Sequence, residues 1–162
     1  MIDTNNFTSK TGVRTFEAAA FLRRCGADVT RVRKMFRDDV DSYRAKAEAI
    51  RSVETYRNVF ALAVCPSEGL DSPTVIASQA ANELLNVSSV KASFVLTDYQ
   101  NKIYISARAI DEVNVQIIME RLGGGGHINM AGAQIPGVST ETAMRQLKET
   151  LDKMIKEGDI EV

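Results

Sequence analysis

One histidine, two cysteines and few aromatic rings are what this 162-residue chain has least of. Each scarcity removes a class of function. A single imidazole cannot build a histidine-rich dinuclear metal centre or a zinc finger, because those ligand sets need several nitrogen or sulfur donors. Cys25 and Cys65 form no ligand cluster and are too few for a secreted disulfide framework. Both read as reduced thiols in a cytosolic setting, filling small core positions. Twenty Lys and Arg stand against 21 Asp and Glu, so no net field draws the chain to nucleic acid or to an anionic membrane. Aromatic residues make up 6% of the sequence and do not interleave with basic ones as they do on single-strand-binding surfaces. No stretch approaches the ~20 apolar residues of a membrane span, and no signal-peptide pattern opens the chain. Internal repeats and low-complexity segments are also missing.

What remains is a composition with 44% hydrophobic and 25% charged residues, which fits one ordinary domain with a small appended subdomain. Met1 to Gly12 is rich in Thr and Asn and has no period. From Arg14 to Arg24, Phe16, Ala19, Ala20 and Arg23 recur at helical spacing, with Gly26 as the stop. Asp28 can cap a second helix carrying Val29, Val32, Met35 and Phe36. A third is expected from about Asp39 to Tyr56, on the stripe Val40, Tyr43, Ala47 and Ile50. The basic residues of this third of the chain (Arg23, Arg24, Arg31, Arg33, Lys34, Arg37) read as a solvated helix face.

From Asn58 strands and helices alternate. Val59 to Val64 suits a buried strand. Ser72-Pro73 starts a helix that runs to about Leu85. Ala92 to Thr97 and Lys102 to Ala109 form a hairpin around Asp98-Tyr99-Gln100-Asn101. Val113 to Leu122 is a helix, Ala131 to Ile135 a strand, and Ser139 caps a last helix with Met144, Leu147, Leu151 and Ile155 inward. The expected fold is α/β: a helical lead-in, then a mixed sheet of about four strands flanked by helices.

The segment richest in chemistry is Gly123-Gly124-Gly125-Gly126-His127, which ends in the only histidine. Glycines let a ligand approach the backbone closely, and a concave set of N–H groups attracts phosphate oxygens. A flexible linker is the competing reading, but linkers recruit Ser, Pro and charge, whereas this run joins two apolar elements. Strand alternation in Ile103 to Arg108 sends Ile103, Ile105 and Ala107 to one face and Tyr104, Ser106 and Arg108 to the other. The second face therefore offers a hydroxyl beside a guanidinium, a bidentate ligand for phosphate. Asp3 reads locally as a turn or cap residue.

Asp3-Thr4, Gly12 through Ala19, Ser106-Ala107-Arg108 and Gly123 through His127, in this order, resemble the C-terminal part of a DHH-family phosphodiesterase. Gly12 to Ala19 with Gly26-Ala27-Asp28, and the Asp111-to-Leu122 helix with Asn114-Val115-Gln116, resemble the cyclic-di-AMP phosphodiesterases of that family. The resemblance implies three segments: residues 1–12 as the end of the catalytic domain, 13–57 as a helical linker, and 58–162 as the DHH-associated substrate-binding domain. It implies that Asp3 matches a metal-ligand aspartate of a two-manganese site. Ser106, Arg108, Gly124, Gly125, Gly126 and His127 would bind substrate. The Asp-His-His signature and the other upstream metal motifs are absent from the sequence, so the chain is expected to be a fragment that hydrolyses nothing by itself. The implied partners are a cyclic dinucleotide or short oligonucleotide, the missing catalytic domain, and a second copy paired through the helical segment. The implied location is the cytosolic side of a protein that is membrane-anchored at full length. Three readings compete: an oligoribonuclease or exonuclease of the same superfamily, a non-catalytic nucleic-acid-binding module, and a glycine run that is only a tight turn.

Overall fold

The computed structural model describes residues 4, 7, 11–110 and 113–161. The chain divides into two compact units, Met1–Asp38 and Asp39–Val162.

In the first unit, α1 (Val13–Arg24) and α2 (Val29–Lys34) are separated by the turn at Gly26. Asp28 Oδ1 accepts from the N–H groups of Thr30 and Arg31 at 2.9 and 3.2 Å, so two of the free donors at the start of α2 are satisfied as its sequence predicts. Neither helix buries a residue, and Phe16, Phe21, Leu22, Met35 and Phe36 are each more than half exposed. The six basic residues are exposed as well. So is Cys25, contrary to its expected core role, while Cys65 is buried.

The second unit is built on a six-stranded sheet of order β1-β2-β3-β4-β6-β5. Its elements are α3 (Val40–Arg51), β1 (Glu54–Tyr56), β2 (Phe60–Val64), α4 (Pro73–Leu84), β3 (Ala92–Tyr99), β4 (Lys102–Ala109), α5 (Val115–Arg121), β5 (Gly125–His127), β6 (Met130–Pro136) and α6 (Thr140–Glu157). β2 and β3 run parallel, with α4 as the crossover that parallel pairing demands. The remaining pairings are antiparallel. Gln100 and Asn101, with φ of 52° and 59°, make the tight β3–β4 turn.

The sheet has six strands where about four were expected, and both additions are three-residue edges. The third helix stops at Arg51 rather than continuing to Tyr56. The Tyr56 ring instead lies between the Arg57 and Lys148 cations, 5.5 and 5.4 Å from its centroid, and Lys148 pairs with Glu54 at 2.7 Å. These contacts with α6 hold β1 extended against a helical pattern, tertiary context overriding propensity. β5 consists of Gly125, Gly126 and His127, a composition without strand preference, so its pairing with β6 carries no local signal.

Each face of the sheet has its own core. On one, Phe60, Leu62, Phe94, Leu96, Ile103 and Ile105 pack with Ile118 and Met119 of α5 and with Leu147, Leu151 and Met154 of α6. On the other, Ala61, Ala63 and Val95 meet Ile76, Ala77, Ala80, Ala81 and Leu84 of α4 and Ala45 and Ala49 of α3. The small residues there let α4 lie close to the strands. Among the described residues no helix is long and apolar enough to cross a membrane.

Candidate functional site

Strand register decides which side chains share the α4 face. Ser93 is opposite Arg108, and Arg108 is opposite Met130, which is in turn opposite His127. One pleat further along, Val95, Ser106, Gly132 and Gly125 form a second row across the sheet, and Thr97, Tyr104 and Gln134 a third. Paired residues point the same way, so Ser106, Arg108, Gly125 and His127 are placed on one face. α3 lies over β2, and α4 covers this face over β3 and the Arg108 end of β4. Beyond its first turn the face opens into a cleft of about 600 Å³ lined by Thr74, Lys102, Tyr104, Ser106, Gln134 and the glycines Gly123, Gly124, Gly125 and Gly132, among others.

The four consecutive glycines divide their tasks. Gly123, at φ 78°, ends α5: its N–H donates to Glu120 O at 3.0 Å and that of Gly124 to Met119 O at 2.8 Å, the paired bonds of a Schellman cap. Two of the run's N–H groups are therefore spent on the helix. A Cβ on Gly124 would fall 2.1 Å from Gly132 O, and one on Gly126 would fall 2.5 Å from Met130 O. Both glycines are required for β5 to lie against β6. Gly125 is different. Its Cβ would meet nothing within 4 Å, its φ is not positive, and it lines the cleft. Neither backbone conformation nor close packing asks for glycine there.

Arg108 sits beside this cleft, under α4, with 9% of its surface exposed. Nη1 donates to Ala107 O at 2.8 Å and Nη2 to Ser78 Oγ, while Nε has no partner. Burial alone lowers its pKa from the usual guanidinium value, and no carboxylate among the described residues offsets the charge. A buried cation left in this state is costly until an anion joins it. Ser78 follows Thr74 by one helical turn on α4, and Ser106 precedes Arg108 by one alternation of β4, so Thr74 and Ser106 of the cleft lining stand one step along their elements from the Ser78–Arg108 pair.

Of the expected substrate ligands, Ser106, Gly124 and Gly125 line the cleft, Arg108 is buried and not part of its lining, and Gly126 and His127 are exposed on edge strand β5 outside it. Thr74, Lys102 and Gln134 were missed. Lys102 and Gln134 belong to the same alternations as Ser106 and Gly132 and were available to a period-2 reading of both strands; Thr74 depends on where α4 docks. Ser72 occupies the cap position of α4, but its side chain makes no capping bond, which leaves the positive end of that helix beside Thr74 and the cleft. Asp3 lies outside the described residues. Among the described residues no group of three or more His, Cys, Asp or Glu could hold a metal ion.

Comparison with known proteins places this architecture. Residues 58–157 match the model of the DHHA1 domain. The chain is 41% identical over 153 residues to the cyclic-di-AMP phosphodiesterase PdeA of Listeria monocytogenes, covering 94% of this chain and 23% of that protein. It is 41% identical over 160 residues to the cyclic-di-AMP phosphodiesterase GdpP of Bacillus subtilis, covering 98% and 24%. It thus spans about a quarter of the length of these relatives and corresponds to their C-terminal part. An exopolyphosphatase-related protein from Bacteroides fragilis shares the fold, with a TM-score of 0.83 at 22% identity over 95% of this chain and 47% of that one. With the domain model matched over most of its length, and the sheet, glycine run and cleft built as described, this chain belongs to the DHHA1 domain family.

Proposed function

We propose that the chain is the substrate-binding portion of a manganese-dependent phosphodiesterase that hydrolyses cyclic di-AMP to a linear dinucleotide. The observation that carries this reading is Arg108, a buried cation without a described counter-charge, beside a cleft whose floor is kept bare by Gly125 and Gly132. Two relatives that bear the name cyclic-di-AMP phosphodiesterase support the substrate class. In this reading residues 58–162 bind substrate, 13–57 link them to a catalytic domain, and 1–12 close that domain, where Asp3 is a metal ligand.

The work of the described residues is to bind and orient. A phosphate group settles on the floor formed by Gly125 and Gly132, where the backbone can be approached closely. Ser106 donates its hydroxyl to one non-bridging oxygen. Arg108 releases Ser78 and turns its free donors to another, so the charge already buried in the fold is neutralised by the ligand. His127, on the exposed edge, donates to the phosphate or base that extends past the floor. Such contacts fix the diester in one orientation and hold its charge, which is catalysis by positioning rather than by a covalent intermediate.

Calorimetric titration of the 162-residue chain with cyclic di-AMP tests this. Binding in the micromolar range or tighter is expected, lost in Arg108→Ala and in His127→Ala, with no manganese-dependent turnover by the chain alone. Binding that survives both substitutions, or salt-sensitive binding to single-stranded RNA in preference to the dinucleotide, would defeat the proposal.

A further inference from the structure

The cleft continues beyond its glycine floor to an end that phosphate binding leaves unused. There Tyr104 and Gln134 are Cα partners across β4 and β6, and Lys102 and Pro136 are the next pair on the same face. Lys102, Tyr104, Gln134 and Pro136 all line the cleft. Tyr104 has a second ring behind it: Tyr99 lies 6.2 Å away between centroids, inclined at 53°. Lys102 Nζ donates to Gln134 Oε1 at 3.4 Å. This bond orients the amide. It occupies one lone pair of Oε1, leaving the other lone pair and both Nε2 hydrogens for a ligand.

Spacing connects this end to the floor. One alternation along a strand, about 6.6–6.8 Å, separates the Ser106–Gly132 row from the Tyr104–Gln134 row, which is the reach from a nucleotide's phosphate to its base. The chemistry then discriminates between purines. Adenine presents a donor, its N6 amino group, beside the acceptor N7. Guanine presents two acceptors, O6 and N7, at the same edge. An amide whose oxygen is fixed by Lys102 matches the first pair with both of its ends, and sets oxygen against oxygen with the second.

We infer that Tyr104 and Gln134 form a base subsite in which the tyrosine ring carries the purine and Gln134 selects adenine over guanine. The inference rests on the substrate-binding reading above and adds the residue that sets its specificity. Gln134 is exposed on β6, so its replacement leaves the core untouched.

The test is titration of the full chain and of Gln134→Leu with cyclic di-AMP and with cyclic di-GMP. The unsubstituted chain should prefer cyclic di-AMP. In Gln134→Leu the affinity for cyclic di-AMP should fall roughly tenfold, the scale of one bidentate amide–adenine pair, while that for cyclic di-GMP stays the same or rises. An affinity ratio identical in the two proteins overturns the base assignment and leaves the phosphate-binding reading standing if Arg108→Ala still abolishes binding. If the unsubstituted chain binds neither dinucleotide, the substrate-binding reading fails and this inference fails with it.

Discussion

Over β2 and β3, the α3–α4 layer shares one core in which Ala77, Ala80 and Ala81 of α4 cluster with Ala61, Ala63 and Val95, and the hydroxyls of Ser93 and Thr97 are buried and satisfied, donating to Ala81 O and Cys65 O at 2.7 and 3.0 Å. Over β4, β6 and β5 the same face carries Ser106, Gly132 and Gly125, and opens into the cleft. Both halves use small residues, for different ends. In the closed half, alanines bring a helix close enough to exclude water, and every methyl has a partner. In the open half Gly125 removes even the methyl and nothing in the chain fills the space, whereas a Cβ on Gly132 would stand 3.0 Å from Ile105 O. Arg108 sits on the border, its row shared with the satisfied Ser93 on one side and with exposed Met130 on the other. Small residues that the fold needs, such as Gly124 and Gly126, can thus be told from one that it does not, Gly125.

The glycine run gives the largest contrast. Gly124→Ala puts a methyl 2.1 Å from Gly132 O, with Ala133 Cα also within 2.6 Å. Backbone cannot yield to it without detaching β5, so a loss of about 3 kcal/mol is expected in urea unfolding, at the upper end of overpacking costs. Gly125→Ala meets nothing. Its stability should hold or rise by about 0.4–1 kcal/mol, since alanine restricts the unfolded chain. Yet the methyl stands on the cleft floor, and cyclic di-AMP affinity should drop by about tenfold for a misfit of ordinary size. Equal stability of the two variants, or full affinity in Gly125→Ala, would erase the distinction between the halves.

Arg108→Met sharpens the same comparison at the border. If the guanidinium were a plug for the closed half, its loss would destabilise the fold. If it waits for an anion, an apolar chain of similar volume removes an uncompensated buried charge and should be neutral or stabilising by about 1–4 kcal/mol. The same change should weaken dinucleotide binding by about 1.5–3 kcal/mol, the range for a hydrogen bond to a charged group. Thermal unfolding and calorimetry on one preparation read both signs.

The sequence shows the open half better than it shows the borders. Alternation in β4 assigns Tyr104, Ser106 and Arg108 to one face because a strand has period two, whatever surrounds it. The caps of α2 and α6 are equally local, and Asp28 and Ser139 make the predicted bonds. β1 and β5 are invisible because three-residue strands gain their stability from neighbours, not from pattern. The glycine run is visible as a motif, but its division of tasks is not: that Gly123 and Gly124 close α5, that Gly124 and Gly126 clear β6, and that Gly125 alone is free follows only from where β6 lies. Arg108 was expected as a strand-end ligand and does stand near the end of β4, but its burial under Ser78 depends on the docking of α4, which no single-strand pattern encodes.

The smallest effect concerns the sulfur of the closed half. Cys65 is 1% exposed, and burial pushes its thiol up from 9.0 to about 11. The folded state thus holds the proton more tightly than the unfolded state. The stability this contributes is fully present below pH 9, declines as pH rises, and is gone above about pH 11. A shift of this size corresponds to a loss of about 3 kcal/mol across that window, and stability around neutral pH does not vary with it. Cys65→Ala should flatten the alkaline limb of the stability curve between those values. In a Cys25→Ser background, iodoacetamide at pH 8 should leave Cys65 unmodified in the folded protein, since reaction needs both access and thiolate. Ser106→Cys in that background places a thiol on the open half of the same face, where it should be alkylated readily and be protected by cyclic di-AMP. If Cys65 reacted as fast as the Ser106→Cys thiol, the helix layer would not be sealing β2 and β3, and the contrast between the closed and open halves of the sheet would be lost.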